Sequence, residues 1–168
     1  SKYKSCINVA SLLTRSCIAA ERGLLVGADY SNIEGRMMAF ISGSSSKIQK
    51  FIEQDNGGDD IYKAAVSSSL NIDIKEVNKK LRQIGKVWEL SLQYGGSISA
   101  LISMSKNYGV APSQLAEPIL ENIRADDYDR SKFYYSQCDA RMRCGLDEAT
   151  FIGIHQLIKK WRNSELNL

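Results

Sequence analysis

Arg82, Lys86, Leu90 and Tyr94 follow one another at intervals of four, and together they are able to do chemistry. At about 100° per residue, each step of four drifts only about 40° around a helix, so all four share one stripe roughly 120° wide. The stripe runs from two cations through an aliphatic side chain to an aromatic ring, with Gly95 and Gly96 directly after it. That order suits a nucleotide: cations meet phosphates, while the apolar and aromatic end meets sugar and base. Lys79 and Lys80 add positive charge at the same helix start. Cations there oppose the helix dipole, so local stability does not explain them. A solvated basic face accounts for the same cluster, and Tyr94 taken singly reads as a core aromatic near a helix end. A second group lies in GADYSNIEGR, residues 27 to 36, where Asp29 and Glu34 stand five apart just past an apolar run.

These side chains need elements to hold them. Leu24 to Ala28 is short, apolar and preceded by Gly23, which predicts a strand ending at Asp29. Ser31 or Asn32 then caps a helix to about Ile41, with Glu34 in its first turn and Gly43 closing it. Asp59 or Asp60 caps the next long helix, IYKAAVSSSL. From Ile74 to about Leu92 the apolar residues Ile74, Val77, Leu81, Ile84, Trp88 and Leu92 recur every three or four positions, predicting one amphipathic helix. Ser97 to Tyr108 reads as helix, broken by Gly109 and Pro112. Two or three more helices follow from Ser113, separated near residues 125–127 and near Gly145. The expected class is mainly α (α+β), with one short β-strand near residues 24–29 in an otherwise helical body.

Composition is that of an ordinary globular chain: 168 residues, 43% hydrophobic and 24% charged, enough for one domain or a substantial piece of a larger one. No apolar run approaches a membrane span, and the N-terminal apolar run is too short and interrupted for a secretory signal. No membrane partner is expected. The net charge of +3 only hints at anionic partners. Cys6, Cys17, Cys138 and Cys144 form no C-x2-C pair, and the single histidine, His155, is far from any metal-binding spacing, so a zinc site is not expected. Free thiols in a reducing, cytoplasmic setting are the simpler reading.

Two motifs together resemble family A DNA polymerases, the bacterial DNA polymerase I type, and especially phage-like members. Asp29-Tyr30-Ser31-Asn32-Ile33-Glu34-Gly35-Arg36 is similar to the family's motif A. Arg82, Lys86, Tyr94 and Gly95 are similar to motif B on the O helix of the fingers, about 45 residues further on. Arg15 stands where the family has a basic residue ahead of the palm strand, and DDIYKAAV resembles the segment leading into the fingers. The resemblance is good over about residues 12–108 and loose over 109–168.

The resemblance implies a palm-edge segment at residues 1–43 and a helical fingers subdomain at 44–168, with the O helix at about 74–94. It implies template-directed addition of a dNTP to a primer 3′-hydroxyl by phosphoryl transfer with two Mg²⁺ ions. Asp29 is implied as a catalytic metal ligand, assisted by the backbone carbonyl of Tyr30. Glu34 is implied as the steric gate that occupies the space of a ribose 2′-hydroxyl. Arg82, Lys86, Leu90 and Tyr94 are implied around the dNTP, with Lys86 also donating a proton to the leaving pyrophosphate. Arg15, Tyr94 and Gly95 are implied against DNA. The implied partners are a DNA primer–template, a dNTP and the remainder of the polymerase chain.

The chain departs from the family pattern in places. Leu90 stands where members usually carry Phe or Tyr, and Gln93 and Gly96 also differ. His155-Gln156-Leu157 does not match the His-Asp-Glu motif that carries the second metal-binding Asp. The expectation is a fingers fragment, too short for thumb or exonuclease and unable to polymerise alone. Two other readings compete: a single-subunit RNA polymerase fragment, which Glu34 opposes, and a non-catalytic helical module binding nucleic acid or protein through its basic helix.

Overall fold

The computed structural model describes residues 17–166, and the chain divides between Asn32 and Ile33 into two units. Arg15 and Cys6 lie outside the described residues. In the first unit, residues 17–30 carry no regular element beyond a turn and bends ending at Gly23, which takes φ 83°. The strand expected over residues 24–29 is not formed, and no strand occurs among the described residues. A strand satisfies its N–H and C=O groups only against a neighbour. Without one, Leu24 and Val26 stay 92% and 91% exposed.

The second unit is helical. Helix α1 (Ile33–Ser42) follows Asn32, whose φ of 52° differs from the extended backbone of a usual N-cap. It ends at Gly43, where φ of 69° lets Gly43 N–H reach the Phe40 carbonyl and Ser44 N–H the Ala39 carbonyl. Helix α2 (Ser45–Asp55) lies against it: a Cβ on Gly35 would come within 3.2 Å of the Phe51 ring. Helix α3 (Ile61–Leu70) is capped by Asp60, whose carboxylate accepts the N–H groups of Tyr62 and Lys63. A 3-10 turn (Ile74–Glu76) follows, capped by Asp73.

Helix α4 (Lys79–Leu92) starts five residues later than the pattern suggested, because the Asn78 side chain accepts the Leu81 N–H and sets the first turn there. Val77 is buried before the helix rather than within it. Ile84, Trp88 and Leu92 are buried as the periodicity required, each no more than 2% exposed. Helix α4 approaches α3 closely at Gly85. A Cβ on Gly85 would sit 2.4 Å from the Tyr62 carbonyl oxygen.

Helix α5 (Ile98–Asn107) begins after Gly95 and Gly96; a Cβ on Gly96 would strike the Ser91 carbonyl oxygen at 1.9 Å. Pro112 takes the first position of α6 (Pro112–Leu120), where its missing N–H costs nothing. Helix α7 (Ala125–Gln137) and the long α8 (Glu148–Leu166) complete the unit. Asp147 starts α8 by accepting the N–H and hydroxyl of Thr150, which hold its carboxyl below the usual range. The core joins Val66, Trp88, Leu92, Leu101, Leu115, Ile119, Ile154 and Leu157, so α8 and α4 face one another across it.

Candidate functional site

Arg82, Lys86 and Leu90 lie along one side of α4, with Tyr94 in the turn just after it, and α3 supplies what meets the cations. Arg82 donates to Asp60 Oδ2 through Nη2 at 2.6 Å and Nε at 3.2 Å. The same Asp60 caps α3 through Oδ1, so one carboxylate ties the first turns of two helices together. The Arg82 guanidinium also lies over the Tyr62 ring, 5.5 Å from its centroid. Tyr62 is buried, and burial raises its phenol first, followed by Asp60 and other neighbours, against the lowering effect of Arg82.

Lys86 is held differently. Its Nζ lies 5.9 Å from the Tyr62 ring centroid and 5.0 Å from that of Tyr108 on the segment after α5. Among the described residues no carboxylate pairs with it. Ring faces attract a cation but leave its three N–H donors free to reach an anion.

Leu90 is half-buried and Tyr94 is 56% exposed. The Tyr94 phenol is raised above its ordinary value by desolvation first, then by the charge of Glu34 and a hydrogen bond to it. The structure therefore brings together the exposed Glu34 of α1 and the ring that ends α4, residues that the sequence places in separate motifs. Gly95 takes φ of 73° and turns the chain immediately after that ring.

Asp29 and Tyr30 belong to the first unit and are exposed, Tyr30 by 80%. Among the described residues no group of three His, Cys, Asp or Glu side chains comes together to hold a metal ion. One carboxylate and one carbonyl fall short of the oxygen ligands that a pair of Mg²⁺ ions needs, so the described residues do not complete such a site. His155 is half-buried in α8, stacked on Tyr134 at 4.6 Å, with Nδ1 2.9 Å from the Ser131 hydroxyl. Burial, and then Lys159, push it down to about 4, so it is a neutral packing residue at pH 7.

Sequence reasoning missed two residues. Asp60 is legible as a cap but not as the partner of Arg82, since nothing local links positions 22 apart. Glu89, 4% exposed, pairs with the equally buried Lys47 of α2 and accepts the Trp161 indole N–H at 3.1 Å. No local signal marked it, since Glu89 lies about 60° beyond Leu92 around α4 and about 20° from Arg82, outside the arc of Ile84, Trp88 and Leu92.

A family profile described as DNA polymerase family A matches residues 7–166. The DNA polymerase of Bacillus phage SP02 is 31% identical over 130 residues, covering 76% of this chain and 19% of the phage protein. DNA polymerase I of Mycobacterium tuberculosis is 37% identical over 82 residues, 49% of this chain and 9% of that protein. The thermostable DNA polymerase I of Thermus aquaticus is 34% identical over 89 residues, 53% of this chain and 10% of that protein. The chain thus spans at most about a fifth of these relatives' length. No solved structure matches with comparable significance.

Proposed function

The chain belongs to DNA polymerase family A, and from that premise we propose that its α3–α4 face binds the triphosphate of an incoming dNTP during template-directed DNA synthesis. The observation that carries this reading is Lys86, a cation seated on Tyr62 and Tyr108 with no carboxylate partner among the described residues, on the same helix side as Arg82. Residues 44–168 are then the fingers, α4 is their O helix, and residues 1–43 are the palm edge. The exposed carboxylate of Asp29, with the Tyr30 carbonyl, is one part of a Mg²⁺ site whose second carboxylate comes from the rest of the polymerase. Metal there supplies charge neutralisation and a more acidic primer hydroxyl.

The chain's own residues have distinct roles in this reading. Arg82 and Lys86 hold the triphosphate by charge-assisted hydrogen bonds. As the primer 3′-oxygen bonds to the α-phosphorus, the bond from that phosphorus to the bridging oxygen breaks. Lys86 gives a proton to that oxygen as pyrophosphate leaves. Glu34, whose charge acts on the Tyr94 phenol, bars a ribose 2′-hydroxyl. Leu90 lines the sugar side, and Tyr94 and Gly95, with Arg15, border the DNA. Closure of α4 over the nucleotide excludes water and tests pairing. A cytoplasmic setting, where DNA is copied, goes with this role; no helix among the described residues is long and apolar enough to cross a membrane.

Titrating the chain with Mg²⁺-dATP and Mg²⁺-ATP by calorimetry tests the reading. Lys86→Ala should weaken dATP binding by at least tenfold, and Glu34→Ala should narrow the gap between dATP and ATP. Equal binding of dATP by the wild type and Lys86→Ala would sink it. By the same reading the chain alone extends no primer.

A further inference from the structure

Away from the α3–α4 face, the second unit holds a pocket of about 300 Å³ where the end of α1, the start of α2, the end of α4 and α8 meet. Met38, Leu92 and the Trp161 ring give it apolar walls. Gln93, directly after α4, lines the same space and is only 8% exposed, yet its amide Nε2 donates to nothing. Its Oε1 is turned to α1, 3.2 Å from where a Cβ on Gly35 would stand, so the amide nitrogen is the end left to the pocket. A buried donor without an acceptor costs stability, and few native chains keep one unless something else completes it.

The polar lining is rich in donors. Ser44, the N-cap of α2, makes no side-chain cap, and its buried Oγ is likewise without a partner. Helix α2 runs for 11 residues, and its ladder begins with the Ile48 N–H on the Ser44 carbonyl. The N–H groups of its first turn therefore have no acceptor within the helix. The exposed Arg162 gives one N–H to the Gly96 carbonyl at 3.2 Å and keeps most of its five donors. Lys47 lies on the same wall, but its charge is matched by Glu89. Among the described residues no carboxylate lines the pocket.

We propose that this pocket binds a small organic phosphate, its head against Gln93 Nε2, Ser44 Oγ, the first turn of α2 and Arg162, and its apolar body against Trp161, Met38 and Leu92. An ionised phosphate suits such a lining because it offers several acceptor oxygens, and a helix N-terminus favours its charge. Gln93 and Ser44, unpartnered in the free chain, gain the acceptor they lack. The volume stands at the lower end of pockets that hold small organic ligands, which favours a ligand smaller than a nucleoside triphosphate. Neither Arg82 nor Lys86 lines this pocket, so the site stands whether or not the α3–α4 face binds a dNTP. Because Leu92, Gln93 and Gly95 end α4, a bound phosphate also braces that helix end against α1 and α8.

The test is a titration of the 168-residue chain with phenyl phosphate, followed in proton–nitrogen NMR spectra. The Trp161 indole N–H, one of two in the chain, and the Gln93 side-chain amide should shift saturably. Inorganic phosphate, which has nothing to set against the apolar wall, should bind more weakly. Gln93→Leu should weaken phenyl phosphate by at least about tenfold, the loss expected of one hydrogen bond to a charged acceptor. The same change should not lower the melting temperature, since the donor it removes had no partner. Arg162→Gln, at an exposed position where folding is not at stake, should weaken binding as well. Lys86→Ala should leave the Trp161 shift as in the wild type, which separates the pocket from the α3–α4 face. No saturable Trp161 shift, or wild-type affinity in Gln93→Leu, would overturn the proposal, and so would a shift that vanishes in Lys86→Ala.

Discussion

Trp161 donates its indole N–H to Glu89 Oε2 at 3.1 Å, joining α8 to α4 across 72 positions of sequence. Lys47 pairs with the other oxygen and lies 5.4 Å from the Trp161 ring centroid, so three helices meet on one carboxylate. Arg82, seven positions before Glu89, lies within about 20° of it around the same helix, and Lys86 within about 60°. Whatever orients α4 about its axis therefore orients those cations, and Glu89 is the buried polar anchor that does so.

Breaking that pair on one side leaves a charge stranded in the core. Lys47→Met should destabilise the chain by about 3–5 kcal/mol in urea unfolding. The double variant Lys47→Met/Glu89→Leu should recover part of the loss, because no unpaired charge remains. If the single variant costs less than about 1 kcal/mol, the anchor is unimportant.

Asp60 and Arg82 should not cost the same. Asp60→Ala removes a helix cap and an ion pair together, while Arg82→Ala removes a half-exposed pair and a contact with the Tyr62 ring but no cap. The expected losses are about 1–2 kcal/mol for the cap and under about 1 kcal/mol for the pair. Thermal melts that rank Arg82→Ala as the worse variant would contradict this.

Gly85→Ala places a methyl group where the Tyr62 carbonyl oxygen already lies, at 2.4 Å. Helices α3 and α4 must separate, at about 1–3 kcal/mol. Tyr62 then leaves its place beneath Lys86, so nucleotide affinity should fall together with the melting temperature. A variant that melts earlier but binds normally would show that the ring contributes nothing to placing Lys86.

His155 makes stability fall on the acid side. The folded chain keeps it neutral down to about 4, whereas the unfolded chain takes up the proton from its ordinary value of 6.5. The unfolded state thus binds more protons between these values, and stability is full above 6.5 and lost as pH drops toward 4. The groups around the ring are Lys159 on its own helix, Ser131 and Tyr134 on α7, and Asp139 and Arg141, which line one pocket together with His155. His155→Gln should flatten the melting temperature between pH 7 and pH 4.5; an unchanged slope would assign the dependence elsewhere.

Much of the helical unit was legible because helices are local. Asp60, Gly43 and the stripe of Ile84, Trp88 and Leu92 signal themselves within a turn or two, and the structure uses each as read. The start of α4 was misjudged because Ile74 and Val77 keep the helical period while Asn78 overrides it with a cap. The run at residues 24–29 failed as a strand for the opposite reason: a strand is defined by a neighbour, and its own residues cannot supply one. The partners of Glu89 and Arg82 lie 42 or more and 22 residues away, beyond any periodicity, so only packing could reveal them.

The unequal holding of the two cations on α4 sets an order of events. In the proposed binding, an anion arriving at Lys86 meets a charge held by two ring faces and has no carboxylate to displace among the described residues. At Arg82 it must compete with Asp60, which is itself tied to the first turn of α3. On that reading capture comes first at Lys86 and exchange at Arg82 second. A ligand too short to span both would dock without ever loosening the latch between α3 and α4.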